Sequence, residues 1–276
     1  MPRTTSDVTT PTLTLTPPPR GAAVALDAVG KTFGLARGRS VTALQGVDLH
    51  VADGEFVAIV GPSGCGKSTV LRMVAGLEAP TEGTVAVEGR APGDLARSHR
   101  LGVAFQEHAL LPWSNVWDNV ALPYRLAGRP VDRARVDALV ELVGLQGFEK
   151  ARPRQLSGGM RQRAAIARAL VLHPDVLLLD EPFGALDAVT RRRMNRELAR
   201  IWAEERITTV LVTHDVEEAL FLADRVVVMT GRPGTVRHVH EVAFARPRGA
   251  ELTRSPEFHE AVDLLTGLLD AESTPA

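Results

Sequence analysis

The strongest constraint on the fold is a glycine-rich loop that directly follows a short, unbroken apolar run. The run is Phe56–Val60, and residues 61–68 after it read GPSGCGKS, which fits the pattern G-x-x-x-x-G-K-[ST]. A short apolar run that ends at a glycine is typical of a strand buried on both faces in a parallel sheet. Because residues 69–75 then show a helical pattern, the sequence predicts an α/β fold with this loop between a strand and a helix.

The residue types in this loop suit the binding of phosphate groups. Glycines let successive backbone N–H groups curl around phosphate oxygens, and the positive end of the following helix favours an anion. Lys67 is expected to reach the outer phosphates and Ser68 to ligate magnesium, while Cys65 is interpreted as a small residue tolerated in the loop. The candidate nucleotide-binding residues here are Gly61, Pro62, Ser63, Gly64, Cys65, Gly66, Lys67, Ser68 and Thr69. The alternative is a glycine-rich turn with a chance lysine, which the position between strand and helix disfavours.

Further apolar patterns predict the remaining strands. The runs at 176–179 and Thr208–Val212 resemble the first one and predict more strands of the parallel sheet. Alternation of apolar and polar residues at 24–26 and 44–51 predicts short, half-buried strands that form an antiparallel patch.

Helical patterns lie between and after these runs. The pattern at 131–143, which stops at Gly144, indicates a helical subdomain inserted at about residues 107–165. A second helix is expected after Asp187, and another around 262–269. The helix after Asp187 places four apolar residues on one face, where they can pack on the sheet: Met194, Leu198, Ile201 and Trp202.

Two acids follow the run at 176–179, at the end of a strand where ligands of such folds bind. Asp180 is expected to orient the magnesium shell, and Glu181 to polarise an attacking water. The alternative is that this pair caps the next helix.

The segment at 156–163, LSGGMRQR, narrows the choice among nucleotide enzymes. It resembles the signature motif of the ATP-binding cassette (ABC) family, and other motifs similar to that family's occur in the same order over about residues 23–240. Phe33 resembles the aromatic residue that stacks on adenine, and Gln106 the glutamine that senses magnesium and the γ-phosphate. Asp187 resembles part of the loop that contacts the other subunit, and His214 the γ-phosphate switch. Alone, Phe33 could be a core aromatic residue, Gln106 a solvated loop residue and His214 a polar residue at a helix N-terminus, but the joint order of the motifs favours the family.

This resemblance implies a P-loop NTPase core with a RecA-like sheet, and ATP and Mg²⁺ as cofactors. It implies Glu181 and His214 as catalytic residues, and Ser68, Gln106 and Asp180 as magnesium ligands, Asp180 through water.

The resemblance also implies a homodimer. Ser157, Gly158 and Gly159 would form a second anion-binding helix N-terminus that acts on the partner's ATP when two chains pair head to tail. Met160 stands where many relatives have glutamine, and Phe33 where many have tyrosine. Neither change removes a phosphate ligand or a stacking face.

The stretches at 106–113, QEHALLPW, and 180–187, DEPFGALD, are similar to those of bacterial importers, and among these the chain most resembles the nitrate, sulfonate and taurine group. Within that group, aliphatic sulfonate or taurine is the expected solute. Met160 and residues 255–258, SPEF, point to the same group. The implied partners are transmembrane permease subunits and, indirectly, a periplasmic or extracellular solute-binding protein. The implied location is the cytoplasmic face of the inner membrane. Residues 110–117 are predicted to dock on the permease, since exposed apolar clusters often mark interfaces.

Composition limits the kinds of partner and of structure that the chain can have. The net charge is -1, so nothing suggests a nucleic-acid partner, and the single cysteine excludes an intrachain disulfide. No apolar run approaches the roughly 20 residues of a membrane span. The basic run at 191–193 is interpreted as a solvated helix face.

Residues 1–22 are predicted to be a disordered Thr/Pro-rich tail, 23–250 the ABC ATPase domain and 251–276 a helical tail. The competing functions are a soluble cassette ATPase acting on DNA or ribosomes, and a phosphate-loop kinase.

Overall fold

A computed structural model describes residues 22–36 and 39–271 of the chain. The expected disordered tail therefore lies outside the described residues, except for Ala22, which begins the first strand. The strands are β1 (Ala22–Gly34), β2 (Ser40–Ala52), β3 (Phe56–Val60), β4 (Glu82–Val87), β5 (Leu101–Ala104), β6 (Val176–Asp180), β7 (Thr208–Val212), β8 (Arg225–Met229) and β9 (Val236–Glu241). The helices are α1 (Lys67–Val74), α2 (Pro92–Arg97), α3 (Val116–Leu126), α4 (Arg133–Leu142), α5 (Gly158–Leu170), α6 (Ala188–Glu205), α7 (Val216–Leu222) and α8 (Pro256–Asp270).

The central sheet has six strands in the order β5-β6-β7-β3-β8-β9, all parallel except β9, which pairs antiparallel with β8. The three predicted runs form β6, β7 and β3, which are neighbours and are buried at every residue. Within β3, Phe56, Ala58 and Val60 enter one apolar core, whereas Val57 and Ile59 enter the other. Both faces of the sheet are therefore covered, which explains the unbroken apolar runs.

The predicted antiparallel patch is confirmed as a second sheet in the order β2-β1-β4. Its strands β1 and β2 each contain 13 residues, and the prediction of short strands was wrong. Several register shifts interrupt their pairing, including one between Leu26 and Val29. These irregularities break the alternation of side chains on which the prediction relied.

The helices agree with the expected patterns but differ at their ends. Helix α4 lies within the pattern predicted at 131–143. Helix α1 begins at Lys67 rather than at residue 69, and α8 begins at Pro256, well before residue 262. The early start of α8 follows from Ser255, whose side chain accepts a hydrogen bond from the backbone N–H of Phe258 and caps the helix. In α6, the predicted apolar face of Met194, Leu198, Ile201 and Trp202 is buried, as expected.

Within residues 22–36 and 39–271, none of the helices combines the length and apolar character needed to cross a bilayer.

Candidate functional site

The glycine-rich loop joins β3 to α1 and holds Lys67 against its own backbone. Gly66 has φ 102°, in the left-handed region that side-chain-bearing residues rarely adopt. The ammonium of Lys67 donates hydrogen bonds to the carbonyl oxygens of Gly61, at 2.8 Å, and Pro62, at 3.1 Å. Because Lys67 is only 6% exposed, its ammonium group is held at the loop and is largely shielded from solvent.

The β8–β9 turn, which the sequence did not predict at this site, contacts the glycine-rich loop. Arg232 donates from Nε to the carbonyl oxygen of Gly64 at 2.8 Å, although the two residues are 168 positions apart. A Cβ atom placed on Gly234 would lie 1.9 Å from the carbonyl oxygen of Cys65, so only glycine fits there. No local pattern signals these contacts, since they depend on the β8–β9 turn folding back onto the loop.

Asp180 lies at the end of β6, beside the loop. Its Oδ1 accepts a hydrogen bond from the Ser68 hydroxyl at 3.1 Å, and the residue is 5% exposed. Burial raises the pKa of Asp180 above its ordinary value, the Ser68 hydrogen bond opposes that shift, and the charge of Glu181 adds to it.

Glu181 lies close to two other predicted site residues. Its Oε2 lies 3.4 Å from Nε2 of Gln106 and 3.5 Å from Nδ1 of His214. The backbone of Glu181 has φ 47°, and its N–H donates to the carbonyl oxygen of Val212 at 2.8 Å. Holding a non-glycine residue in this region costs roughly 1–2 kcal/mol, and such outliers often occur at functional sites.

These side chains line a cleft of about 820 Å³. Most of the predicted nucleotide-binding and catalytic residues lie on its wall: Phe33, Ser63, Gly64, Gly66, Lys67, Ser68, Thr69, Gln106, Glu181 and His214. The wall also contains four residues that were not predicted: Leu35, Val41, Ala43 and Arg232. Cys65 is 1% exposed and packs in the apolar core, in keeping with a small tolerated residue.

Phe33 is half-buried at this cleft, and the ammonium of Lys31 lies 5.0 Å from the centre of its ring. Its ring thus supplies a flat apolar surface beside the phosphate loop.

The predicted signature residues Ser157, Gly158 and Gly159 are absent from the wall of the cleft, as judged over the described residues. Ser157 instead caps α5 by accepting a hydrogen bond from the N–H of Met160 at 3.2 Å. A Cβ atom on Gly159 would lie 2.5 Å from Cδ2 of Leu186, so the start of α5 packs directly on the loop before α6.

Asp187 follows Leu186 in that loop and caps α6. It accepts hydrogen bonds from the N–H groups of Val189 and Thr190 at 3.1 and 3.0 Å, and the bonds from Thr190 lower the pKa of its carboxyl.

The sequence profile of the ABC transporter family matches residues 44–184, from within β2 to the segment just beyond Glu181. The chain belongs to the ABC transporter family. The nitrate import ATP-binding protein NrtD of Synechococcus elongatus is 49% identical, over 87% of this chain and 90% of that protein. The aliphatic sulfonates import ATP-binding protein SsuB of Bacillus subtilis is 45% identical, over 82% of this chain and 87% of that protein.

A solved structure supports the same fold. The dimeric post-hydrolysis state of the ATP-binding cassette MJ0796, bound to ADP and Pi, aligns with a TM-score of 0.74 at 34% identity. The alignment covers 80% of this chain and all of that one. The predicted P-loop NTPase fold is thereby confirmed, and this ABC subunit is an ATPase that binds ATP.

The ABC cassette also buries a carboxyl group that sequence reasoning did not single out. Glu218 is 4% exposed in the first turn of α7, where its Oε2 accepts a hydrogen bond from the Thr213 hydroxyl. Its Oε1 has no hydrogen-bond partner among the described residues. Burial raises the pKa of Glu218 to about 8, so its carboxyl is protonated at neutral pH in the folded chain.

This burial predicts a pH-dependent stability. Between the unfolded pKa of about 4.5 and the folded pKa of about 8, the folded state keeps a proton that the unfolded state has lost. Stability from this group therefore falls as pH rises, by at most about 1.4 kcal/mol per pH unit. Glu218→Gln keeps the shape without the charge, so its stability relative to the natural chain should increase steadily from pH 5 to pH 8. Denaturant unfolding across this range measures the effect.

Glu217→Gln, at the exposed neighbouring position, is the matched control and should follow the pH profile of the natural chain. If the free energies of unfolding of the Glu218→Gln variant and the natural chain changed with pH in the same way, the carboxyl of Glu218 would not be buried in its protonated form.

Proposed function

We propose that this ATPase energises a bacterial importer for nitrate, aliphatic sulfonates or taurine-like solutes, and that ATP is hydrolysed in the cleft at Glu181. The observation that carries the proposal is the meeting of Glu181, Gln106 and His214 next to the phosphate loop. Phosphoryl transfer needs mainly positioning and charge stabilisation, and this cleft offers a carboxylate, an imidazole and a buried ammonium within one space.

The phosphate loop supplies the binding energy in this proposal. Lys67 neutralises the outer phosphates, the backbone of residues 61–66 cradles them, and Phe33 stacks on the adenine ring. Arg232 adds positive charge at the rim of the same cleft.

The oxygens beside the loop fit a magnesium ion. Ser68 and Asp180 already place two oxygen atoms 3.1 Å apart, and Gln106 contributes an amide oxygen at the same cleft. Ser68 and Gln106 would hold the ion directly and Asp180 through water. When bound, the ion would neutralise charge on the phosphate oxygens and favour the ionised form of Asp180 against the effect of burial.

In the chemical step, Glu181 is the base that polarises the attacking water. His214 contacts the γ-phosphate, and the 3.5 Å between its Nδ1 and the Glu181 carboxylate lets each fix the orientation of the other. The strained backbone of Glu181 supports this role, since strained residues cluster at functional sites and Glu181 lies on the cleft wall.

The homodimer completes the site. Ser157, Gly158 and Gly159 do not line their own chain's cleft within the described residues, so we infer that they bind the ATP of a partner placed head to tail. The loop with Asp187, which touches Gly159 through its neighbour Leu186, is the proposed contact between subunits. The dimeric state of the solved cassette MJ0796 supports this arrangement.

We further propose that the ATPase domain spans 23–250, with the helical subdomain at 107–165, and that a helical tail begins at residue 251; residues 272–276 of the tail predicted at 251–276 lie outside the described residues. It binds transmembrane permease subunits at the cytoplasmic face of the inner membrane and works indirectly with a periplasmic or extracellular solute-binding protein. Relatives named for nitrate and for sulfonates have similar identity to this chain, which supports selection of the solute by those partners. No nucleic acid takes part.

Reconstitution tests this function. The chain should copurify with co-expressed permease subunits, and a solute-loaded binding protein should stimulate ATP hydrolysis in vesicles. Stimulation by DNA or ribosomes, with no permease retained, would favour the competing cassette function instead.

The permease surface predicted at 110–117 divides into two parts in the structure. Trp113 is 70% exposed, whereas Leu110 packs against the core. Trp117 is half-buried, donates from Nε1 to Asp137 at 2.6 Å and stacks under Arg133. Within the proposed docking surface, Trp113 is therefore the exposed contact and Trp117 supports the subdomain.

Trp113→Ala is expected to lower permease-stimulated ATP hydrolysis several-fold while leaving the ATP affinity of the isolated subunit unchanged, because Trp113 lies outside the cleft wall. Leu126→Ala, an equally exposed apolar position at 69%, is the control and should retain stimulation. Normal transport and normal copurification in a folded Trp113→Ala, Trp117→Ala double variant would refute the docking surface.

A further inference from the structure

One guanidinium joins the two loops that precede α6 and α7. Arg191, in the first turn of α6, donates from Nη1 to Oδ2 of Asp215 at 3.0 Å and from Nη2 to the carbonyl oxygen of Leu186 at 3.2 Å. Both ion-pair partners are half-buried, with 28% and 25% of their side chains exposed. A planar guanidinium suits such a bridge, because it presents separate N–H groups in a fixed geometry.

Asp215 is itself fixed on both sides of the bridge. Its Oδ1 caps α7 by accepting from the N–H of Glu218 at 3.0 Å, and its own N–H donates to the Thr213 hydroxyl at 3.1 Å. The residue between Thr213 and Asp215 is His214, whose side chain is 57% exposed. The backbone held by Asp215 therefore sets where the imidazole points.

We propose that Arg191 is a positioning residue, which holds His214 in register with the loop that contains Asp187. This inference rests on the roles proposed for His214 and Asp187. When a partner subunit displaces the loop at 184–187, the Leu186 carbonyl moves, and Arg191 carries that displacement to Asp215 and the adjacent histidine. Dimer contact and γ-phosphate contact thus become coupled through a single side chain.

The neighbouring arginine provides a matched control. Arg192 is exposed on the same turn, and its side chain has no ion pair or hydrogen bond with the residues that the structure describes. A general loss of positive charge on α6 would affect Arg191→Ala and Arg192→Ala alike, whereas the bridge predicts a defect only for Arg191→Ala.

The test measures ATP hydrolysis by the purified full chain. In Arg191→Ala we expect kcat to fall about tenfold or more with KM for ATP within about twofold, because the cleft wall is intact but the histidine is misplaced. Arg191→Lys should be intermediate. Asp215→Asn should repeat the defect while still capping α7, which separates the lost bridge from a lost helix cap. Arg192→Ala should behave like the natural chain.

A double-mutant cycle with His214→Ala decides the mechanism. If Arg191 acts through His214, the Arg191→Ala, His214→Ala chain hydrolyses ATP no more slowly than His214→Ala alone. The inference would be overturned if the rate reductions of Arg191→Ala and His214→Ala multiply in the double variant. Normal kcat in both Arg191→Ala and Asp215→Asn would also overturn it. A normal rate in His214→Ala alone would remove the proposed role of that histidine, and with it the positioning role of Arg191.

Discussion

Replacing Glu181 by glutamine is expected to lower ATP hydrolysis by about 10²-fold or more while ATP still binds. The amide keeps the shape of the side chain, so its contacts with Gln106 and His214 can persist, but it no longer accepts a proton from the attacking water. Lys67 and Ser68, which hold the phosphates in the proposed site, are unchanged. Phosphate release at saturating ATP measures the first effect and calorimetry with ATP measures the second.

The control for this variant is Glu107→Gln, which neutralises an exposed carboxylate next to Gln106 that does not line the cleft. Its rate of hydrolysis should match that of the natural chain. A normal rate in Glu181→Gln would mean that another group activates the water, whereas loss of ATP binding would show that Glu181 supports the site rather than the reaction.

Replacing Lys67 by alanine should abolish useful ATP binding. Hydrogen bonds to charged groups contribute about 1.5–3 kcal/mol each, so if the ammonium makes about two hydrogen bonds to phosphate oxygens, their loss weakens binding by roughly 10²- to 10⁴-fold. No other lysine lines the cleft within the described residues, and Arg232 at its rim already donates to Gly64. Isothermal calorimetry with ATP gives the affinity directly.

Lys150→Ala, at an exposed lysine outside the cleft, controls for the change in net charge and should bind ATP normally. Circular dichroism of Lys67→Ala is needed as well, since the substitution removes hydrogen bonds to the carbonyls of Gly61 and Pro62. Unchanged ATP affinity in a folded Lys67→Ala variant would contradict the assignment of the loop.

Much of the central sheet and cleft could be predicted because its signals are local. Strands β3, β6 and β7 are buried on both faces, which leaves unbroken apolar runs in the sequence. Since parallel strands end at the same edge of a sheet, Asp180, Glu181 and His214 could be expected near the phosphate loop once those runs were recognised.

Other features depend on contacts between distant segments and have no local pattern. Arg232 reaches the phosphate loop only because the β8–β9 turn folds over it, and Glu218 becomes buried only when α7 packs against β3 and α6. Trp117 looked like a surface residue in a run of apolar side chains, but Asp137 and Arg133 on α4 engage it. The sequence marks the residue types, whereas these roles follow from tertiary packing.

In the proposed dimer, ATP is bound between the phosphate loop of one chain and residues 157–159 of another. The decisive measurement is the solution mass of Glu181→Gln, determined by light scattering with ATP and with ADP. A shared site should give a mass of two chains with ATP and of one chain with ADP. Adding Ser157→Arg, which fills the proposed anion site at the start of α5, should prevent the ATP-dependent pairing. A single-chain mass with bound ATP, or a dimer indifferent to Ser157→Arg, would contradict the shared site.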